Sequence, residues 1–572
     1  MKGRMERCAP KLWLGDYLLL KKCTVLFVSC LCWAALPAKA EFTVNVPLTP
    51  IQQVLVDDPT ERCQSLPELR SQPIAEALGW LYQANGYIPI WQDRKRTRDL
   101  REQLLEMAHD GLNPQQYVAE RARGEDALCR ELRQSGDYLR ALEHLSRGRL
   151  DQQRHEPVWT STSLLPPARV EVARLGIIGL QDMQQAFDSA RPSLPLYHQL
   201  RQAYQQMDHH APELVTFPDG PAIKPGSNDP RLAQLAQRLM FGGYLAPGAS
   251  AGPLTEPVLP SPEPVRGQPL SYDVPLQQAV RAFQQAHGLQ PDAIVGQQTV
   301  AALNISPADR VRQVQINLER LRWLDARRHH HVLLVNSAGS NAILYQGNEI
   351  RWQSRVQSGS PGRATPLLDS RINRVTLNPS WTIPPTIMRE DKLPQIRANP
   401  AYFAERDLQV LDAQGNRLNP MDIDWTNPRG VMLRQPPGPD NPLGQMVFRF
   451  DNPFSVFLHD TPSQSLFARA IRNVSSGCVR VEQATELADY LFHSLDAQQR
   501  EQIEEQLASG RTREVRVENG PQVLLTYWTA QASADGQLWF TPDPYALDGK
   551  LTEVFTRAVR SSDDAGRTPA ER

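Results

Sequence analysis

At about His331 the apolar residues of this chain change their period. Before that point they recur three and four residues apart, as in Ala77, Leu78, Leu81 and Tyr82, then Leu100, Leu104, Leu105 and Ala108. Leu232, Leu235, Ala236, Leu239 and Met240 repeat the pattern, as do Leu276, Ala279, Val280 and Phe283. Such spacing lines one face of a helix. After His331 the apolar residues come in short β-forming runs: Val332 to Val335, Ala342 to Tyr345, Ile372 to Leu377, Val447 to Phe450, Val456 to His459, Val523 to Trp528 and Leu538 to Phe540. One fold cannot serve both patterns, so the expected class is multidomain α+β, with helical parts before a mostly β domain. A chain of 572 residues has room for that, at roughly 150 residues per domain.

The boundaries follow from composition. Residues 41–225 read as a helical scaffold whose Trp80, Tyr82, Tyr87 and Trp91 fill its core. Residues 226–308 read as a small helical bundle. Gly242-Gly243 and His287-Gly288 end its helices, because glycine accepts the left-handed position past a helix terminus. The bundle is interrupted at 247–269 by seven prolines in 23 residues, an extended insertion. A connecting helix is expected at 309–328 and the β domain at 329–548, with a Pro-rich, partly helical insertion at about 381–446 that reads as a lid. Residues 549–572 are left as a C-terminal tail. Asp535-Gly536 marks a tight hairpin before the last β run.

The first 40 residues are different in kind. Six basic residues lie within positions 1 to 22, an apolar run extends from Cys23 to Leu36, and Ala38-Lys39-Ala40 follows. This is the pattern of a cleavable signal peptide. At about 14 residues the run is short of the ~20 that a spanning helix needs. The expected location is therefore the periplasm, with no stable membrane span after cleavage. Lys and Arg number 62 against 63 Asp and Glu, so no global basic field attracts nucleic acid. Of seven cysteines, only Cys63, Cys129 and Cys478 lie beyond the leader. Cys63 and Cys129 can pair, leaving Cys478 alone, although sequence does not decide the pairing.

Cys478 is also where chemistry concentrates. His459-Asp460-Thr461-Pro462 is followed, 19 residues after His459, by Ser475-Ser476-Gly477-Cys478-Val479-Arg480-Val481. A thiol becomes nucleophilic when deprotonated, and His459 is the candidate base and later acid. The second imidazole nitrogen needs an acceptor, for which the Asp460 main-chain carbonyl is the candidate. Backbone N–H groups at Gly477 and Cys478 are candidate oxyanion donors, and Arg480 can grip a substrate carboxylate. Cys478 is expected at a turn leading into a helix around Ala484 to Leu491. The triplet His329-His330-His331 lacks any His-Glu-x-x-His or Cys-pair companion, so neither a metal nor a cofactor is expected.

His459-x-Thr461 with Ser475-x-Gly477-Cys478-Val479-Arg480 resembles the signature of the YkuD-type L,D-transpeptidases. Ser476 stands where many members carry a second His. Tyr82 to Trp91, Asp110-Gly111-Leu112-Asn113-Pro114, Asn317-Leu318-Glu319-Arg320-Leu321-Arg322-Trp323-Leu324 and Asn378 to Pro384 resemble the large YcbB-like branch. Ala279-Val280-x-x-Phe283-Gln284, Gly288-Leu289 and Val295-Gly296-x-x-Thr299 resemble a peptidoglycan-binding helical domain, with Pro291-Asp292-Ala293 replacing its usual Asp-Gly turn. The resemblance implies a transferase whose thiol attacks the bond between diaminopimelate and D-Ala in a tetrapeptide stem. The acyl group then passes to an amine of a second stem, forming a 3-3 cross-link. It further implies Ser476 and Trp381 at the substrate, acylation by carbapenems, and stem peptides and glycan as partners. Wall synthases are candidate neighbours that no residue specifies. A non-catalytic wall-binding scaffold, or a related thiol enzyme acting on wall-lipoprotein links, is the alternative.

Overall fold

The structure is a computed structural model describing residues 48–56, 63, 72–118, 126–160, 167–246, 271–399 and 401–565. The leader and the Pro-rich 247–269 segment lie outside these residues. The helical region contains Gln72–Ala84, Arg94–Glu106, Ala127–Arg147, Ala168–Gly179, Met183–Ala190 and Pro195–Gln206. Asp93, Asp126 and Asp182 each accept backbone N–H groups at a helix start, satisfying donors that the helix itself cannot. Tyr82, Tyr138 and Phe187 are buried among Leu81, Leu139 and Leu142, and Trp80, Tyr87 and Trp91 pack against that core. Cys63 and Cys129 form a disulfide, so Cys478 is the free cysteine among the described residues.

The small bundle joins Leu232–Phe241, Val274–Ala286 and Gln297–Leu303 around Phe217, Leu235, Leu239, Leu276, Val280 and Phe283. Ala293 holds φ +64, the left-handed position a glycine would fill. It is braced there because its N–H donates to Gln284 Oε1 and the Asp292 side chain accepts from Ile294. That is how the turn forms without the usual glycine.

The connecting helix spans Pro307–Arg327, one residue short of the expected end, and it is buried through its last three turns. Past it lies the sheet. A short strand β1 (Trp159–Thr160) from the helical region adds to it. The domain's own strands begin with β2 (His331–Asn336), β3 (Asn341–Gln346), β4 (Glu349–Gly359) and β5 (Leu368–Leu377). An inserted subdomain follows, with β6 (Trp381–Thr382), β7 (Gln409–Leu411), β8 (Arg417–Leu418) and β9 (Met432–Gln435). The chain returns as β10 (Met446–Phe450), β11 (Leu458–His459), β12 (Asn473–Ser475) and β13 (Val479–Val481). It finishes with β14 (Arg513–Arg516), β15 (Gln522–Thr526) and the hairpin β16 (Ala530–Ala532) to β17 (Leu538–Phe540).

The main sheet runs β5-β10-β11-β13-β4-β3-β2-β15, and β15 pairs back with β5, closing it on itself. Leu333 and Val335 of β2 face the enclosed core with Leu344, Val356, Phe448 and Leu458. Val332 and Leu334 face the other way, onto Leu200, Leu318 and Leu321. Burial on both faces explains why β2 reads as an unbroken apolar run.

Three expectations change. The hairpin at Asp535-Gly536 starts from β16, not from the strand at Val523 to Trp528, and Gly536 has the positive φ (+86) that the turn requires. Strands β4, β13 and β14 carry no run of apolar residues. The supposed tail begins as a helix, Asp548–Ala565, whose Leu551 and Phe555 are buried in the scaffold core.

In protein lacking residues 1–40, one thiol should react with Ellman's reagent in denaturant without reductant, and none after Cys478→Ser. Replacing Cys129 by Ser should expose a second thiol and destabilise the scaffold by about 4 kcal/mol, the loop-closure value for a link of this span. Urea unfolding measures the second effect.

Candidate active site

A row of registered residues crosses five strands of the sheet: Thr376, Val447, His459, Arg480 and Gln357. It faces away from Phe448, Leu458 and Val479, which are in the enclosed core. Cys478 lies two residues before Arg480, so strand alternation brings it to the same face as His459. The helix starts at Ala484, as the sequence placed it, but Cys478 leads first into β13 and not directly into that helix. Strand β13 thus separates the thiol from that helix N-terminus, and the groups acting on the thiol are the Ser455 carbonyl, the Phe457 N–H, Arg480 and Arg449.

His459 is buried, and its Nδ1 donates to the Asp460 carbonyl at 2.5 Å, which leaves Nε2 as an acceptor. The Asp460 carboxylate is used elsewhere, accepting the Gln445 N–H at 2.9 Å. Burial, reinforced by the charge of Arg480, pushes the imidazole down to about 3, so it is neutral at ordinary pH. The Cys478 thiol donates to the Ser455 carbonyl at 3.8 Å. Ser455 holds φ +56, in a loop braced by Asn452, whose side chain accepts from Phe454 and Val456 and donates to Phe450 and Val456. Burial raises the thiol above its ordinary value, against the Phe457 N–H, Arg480 and Arg449. The resting pair is thus neutral thiol and neutral imidazole.

The backbone around the thiol is held by a distant turn. The Ser360 N–H donates to the Ser475 carbonyl (2.9 Å), Arg363 Nη1 to Ser476 Oγ (2.9 Å) and Thr365 Oγ1 to the Gly477 carbonyl (2.9 Å). Thr365 Oγ1 also accepts from Gly359, and the Tyr545 hydroxyl accepts from the Thr365 N–H while donating to the Gly359 carbonyl. A Cβ on Gly359 would run into the Arg363 carbonyl and the Thr365 amide. Gly477, at φ +111, turns its own N–H onto Ser475 Oγ (3.1 Å). That amide, expected at the oxyanion, is engaged within its loop.

Arg480 donates from Nη1 to Gln357 Oε1 (3.0 Å), and among the described residues no carboxylate pairs with it. Its Nε is buried without a partner. Burial lowers its affinity for a proton, partly offset by Cys478. Ser476 is exposed and held by Arg363. Trp381 lies apart from the thiol's row, in β6 of the inserted subdomain, packed against that subdomain's core with Lys392 5.6 Å above its ring. The three consecutive histidines diverge: His329 meets Arg371 and His331 meets Tyr490, while His330 lies beside Gly347. Arg363, Thr365, Arg449 and Gln357 went unrecognised in the sequence, and no local pattern marks them.

Residues 330–496 match the family model described as the YkuD L,D-transpeptidase catalytic domain. Residues 76–203 match a scaffold domain, and 264–303 a "putative peptidoglycan binding domain". These matches define a transpeptidase-type catalytic domain carried with a scaffold domain and a peptidoglycan-binding type domain. The three matches and the relative described next support the multidomain arrangement that the sequence resemblance implied, a YkuD-type catalytic domain preceded by scaffold and peptidoglycan-binding domains. A curated Haemophilus influenzae protein named "Putative L,D-transpeptidase" is 33% identical over 243 residues, 42% of this chain and 49% of that one. The chain therefore spans about half the length of that relative. Two solved structures are similar. An L,D-transpeptidase from Mycobacterium smegmatis has 13% identity, covering 34% of this chain and 58% of that one, with a TM-score of 0.17. An L,D-transpeptidase from Xylanimonas cellulosilytica has 18% identity, covering 54% and 98%, with a TM-score of 0.17. At such scores neither likeness bears on the geometry above.

The neutral resting pair has a direct readout. Alkylation of Cys478 by iodoacetamide should accelerate with pH and reach its midpoint above the ordinary thiol value of about 8.5. Because the imidazole pKa is depressed, no step in rate should appear near pH 6.5. A plateau from pH 5 upward would instead reveal a preformed thiolate–imidazolium pair.

Proposed function

We propose that this protein is a peptidoglycan L,D-transpeptidase of the cell envelope, with Cys478 as nucleophile and His459 as its acid and base. The observation that carries the reading is the pinned imidazole: Nδ1 is committed to the Asp460 carbonyl, so the free nitrogen is an acceptor on the face that carries the one free thiol among the described residues. The match to a peptidoglycan-binding domain supports a wall polymer as substrate, and the leader supports the periplasm as the location.

In this mechanism Sγ attacks the carbonyl joining diaminopimelate to the terminal D-Ala of a tetrapeptide stem, while the thiol proton passes to His459 Nε2. The Cys478 N–H is the proposed oxyanion donor, since Gly477 spends its amide on Ser475. Collapse breaks the C–N bond, the imidazolium protonates the departing D-Ala amine, and a thioester remains. A side-chain amine of a second stem then attacks the thioester. His459 takes the amine proton and returns it to sulfur as the C–S bond breaks, completing the 3-3 cross-link. Water in place of the amine would trim the stem. The charges of Arg480 and Arg449 favour the thiolate as it forms, opposing the burial that disfavours it at rest.

Intact mass after incubation with a carbapenem tests the reading. One adduct is expected on the wild type and none on Cys478→Ala, and His459→Ala should slow acylation by at least roughly 100-fold, the usual worth of a positioned base. A folded, reduced protein that gains no mass would remove Cys478 from the nucleophile role. Muropeptide analysis then identifies the acceptor.

A further inference from the structure

Arg363 lies in the turn that cradles the nucleophile loop, and its guanidinium is already bound to a carboxylate. Nη1 and Nη2 each meet one oxygen of Asp391 at 2.7 Å, the two-pronged geometry that recognises carboxylates in general. Nη2 also meets Glu390 Oε2 at 2.8 Å, and Nη1 also donates to Ser476 Oγ at 2.9 Å. Ser476 is two residues from Cys478. Both acids belong to the turn Met388–Lys392 of the inserted subdomain, and both are considerably exposed, at 46% for Glu390 and 37% for Asp391. The Arg363 side chain is only 25% exposed.

A carboxylate is thus seated one hydrogen-bonded link from the motif, with Arg389 and Lys392 beside the acids on the same turn, while the cations that act on the thiol are held differently. Arg480 is tied to Gln357 along the sheet and Arg449 to Thr376. Neither shows a two-pronged carboxylate contact, whereas Arg363 holds one supplied by the protein itself. The ligand that would replace it is a free carboxylate on a bound peptide.

Resting on the transpeptidase reading for the identity of that peptide, we infer that Arg363 is the residue that binds the free carboxylate of the donor stem. Asp391 and Glu390 occupy it in the free protein as an internal carboxylate that the substrate displaces. Substrate entry and release of the inserted subdomain from the catalytic domain then become one exchange of ion pairs. Exposure of the two acids makes the exchange accessible: a part-exposed pair is weak enough to be traded for another.

The test is direct binding, in the Cys478→Ala background so that no chemistry intervenes. Calorimetry compares a tetrapeptide stem with free carboxylates against the same peptide with those groups amidated. Glu390→Gln combined with Asp391→Asn should tighten the carboxylate form by roughly fivefold, a typical worth for such a pair, and leave the amidated form unchanged. Arg363→Gln should abolish the preference between the two peptides, and Arg363→Lys, with charge but no fork, should restore part of it. The acid-side variant leaves Arg363 in place, so it decides the question even if Arg363 variants fold poorly. An unchanged preference in the Glu390/Asp391 variant, or equal gains for both peptides, overturns the inference. Failure of the transpeptidase reading appears separately, as a wild-type protein that discriminates between the peptides but gains no carbapenem adduct.

Discussion

Two buried arginines on the connecting helix hold the separate parts of this molecule in one arrangement. Arg320 pairs with Glu156 of the helical region at 2.7 Å and with Asp548 of the C-terminal helix at 2.6 Å. Arg322, fully buried, pairs with Glu319 at 2.7 Å and donates to the Asp110 carbonyl at 2.8 Å. Burial works against the charge on both, and their partners together more than offset it. Breaking such a pair by removing one member leaves an uncompensated charge and typically costs about 3–5 kcal/mol. A buried charge accepts few alternative partners, so these contacts fix which helix lies against which strand. Asn317 and Thr529 extend the same junction to the sheet, through hydrogen bonds between the Thr529 N–H and Asn317 Oδ1 and between Thr529 Oγ1 and Asp548.

That junction also explains what was legible in the sequence. The string Asn317 to Leu324 and the Asp110-Gly111 turn were legible by resemblance, and in the fold they meet across domains, Arg322 donating to the Asp110 carbonyl. The pair His459 and Cys478 was legible because its two short strings match a family signature, and they lie at neighbouring parallel strands, with His459 registered to Arg480. The helical segments were legible because their periodicity mirrors burial along one face. Strand β4 was not, since its inward positions include Ser354 between Trp352 and Val356, and its outward Arg351, Gln353 and Arg355 dilute the pattern. Arg363 and Thr365 escaped for a different reason. Each acts on a residue more than a hundred positions away, as the hydrogen bonds to Ser476 and Gly477 show, and no local signal accompanies a contact of that range.

The electrostatics of the site follow from its position on a covered face of the sheet. A thiol near water and a helix terminus would rest as a thiolate. Here burial keeps both thiol and imidazole neutral; Arg449 and Arg480 favour the thiolate, while Arg480 also disfavours the imidazolium. A thiol held in this way is a weaker nucleophile at rest than an exposed one of ordinary pKa.

Tyr545 ties the loop around Cys478 to a later part of the chain. Its hydroxyl bridges the Thr365 amide and the Gly359 carbonyl, and so fixes the turn that shapes the loop around Cys478. Its neighbour Tyr527 bonds to Asp543 and also accepts the Tyr545 N–H, while Asp548 a few residues on anchors Arg320. The nucleophile loop is thus shaped in part by residues near the end of the chain. A change at Tyr545 or Asp543 therefore reaches Cys478 through the backbone of the Thr365 turn, so the shape of the loop reports on packing more than sixty residues downstream.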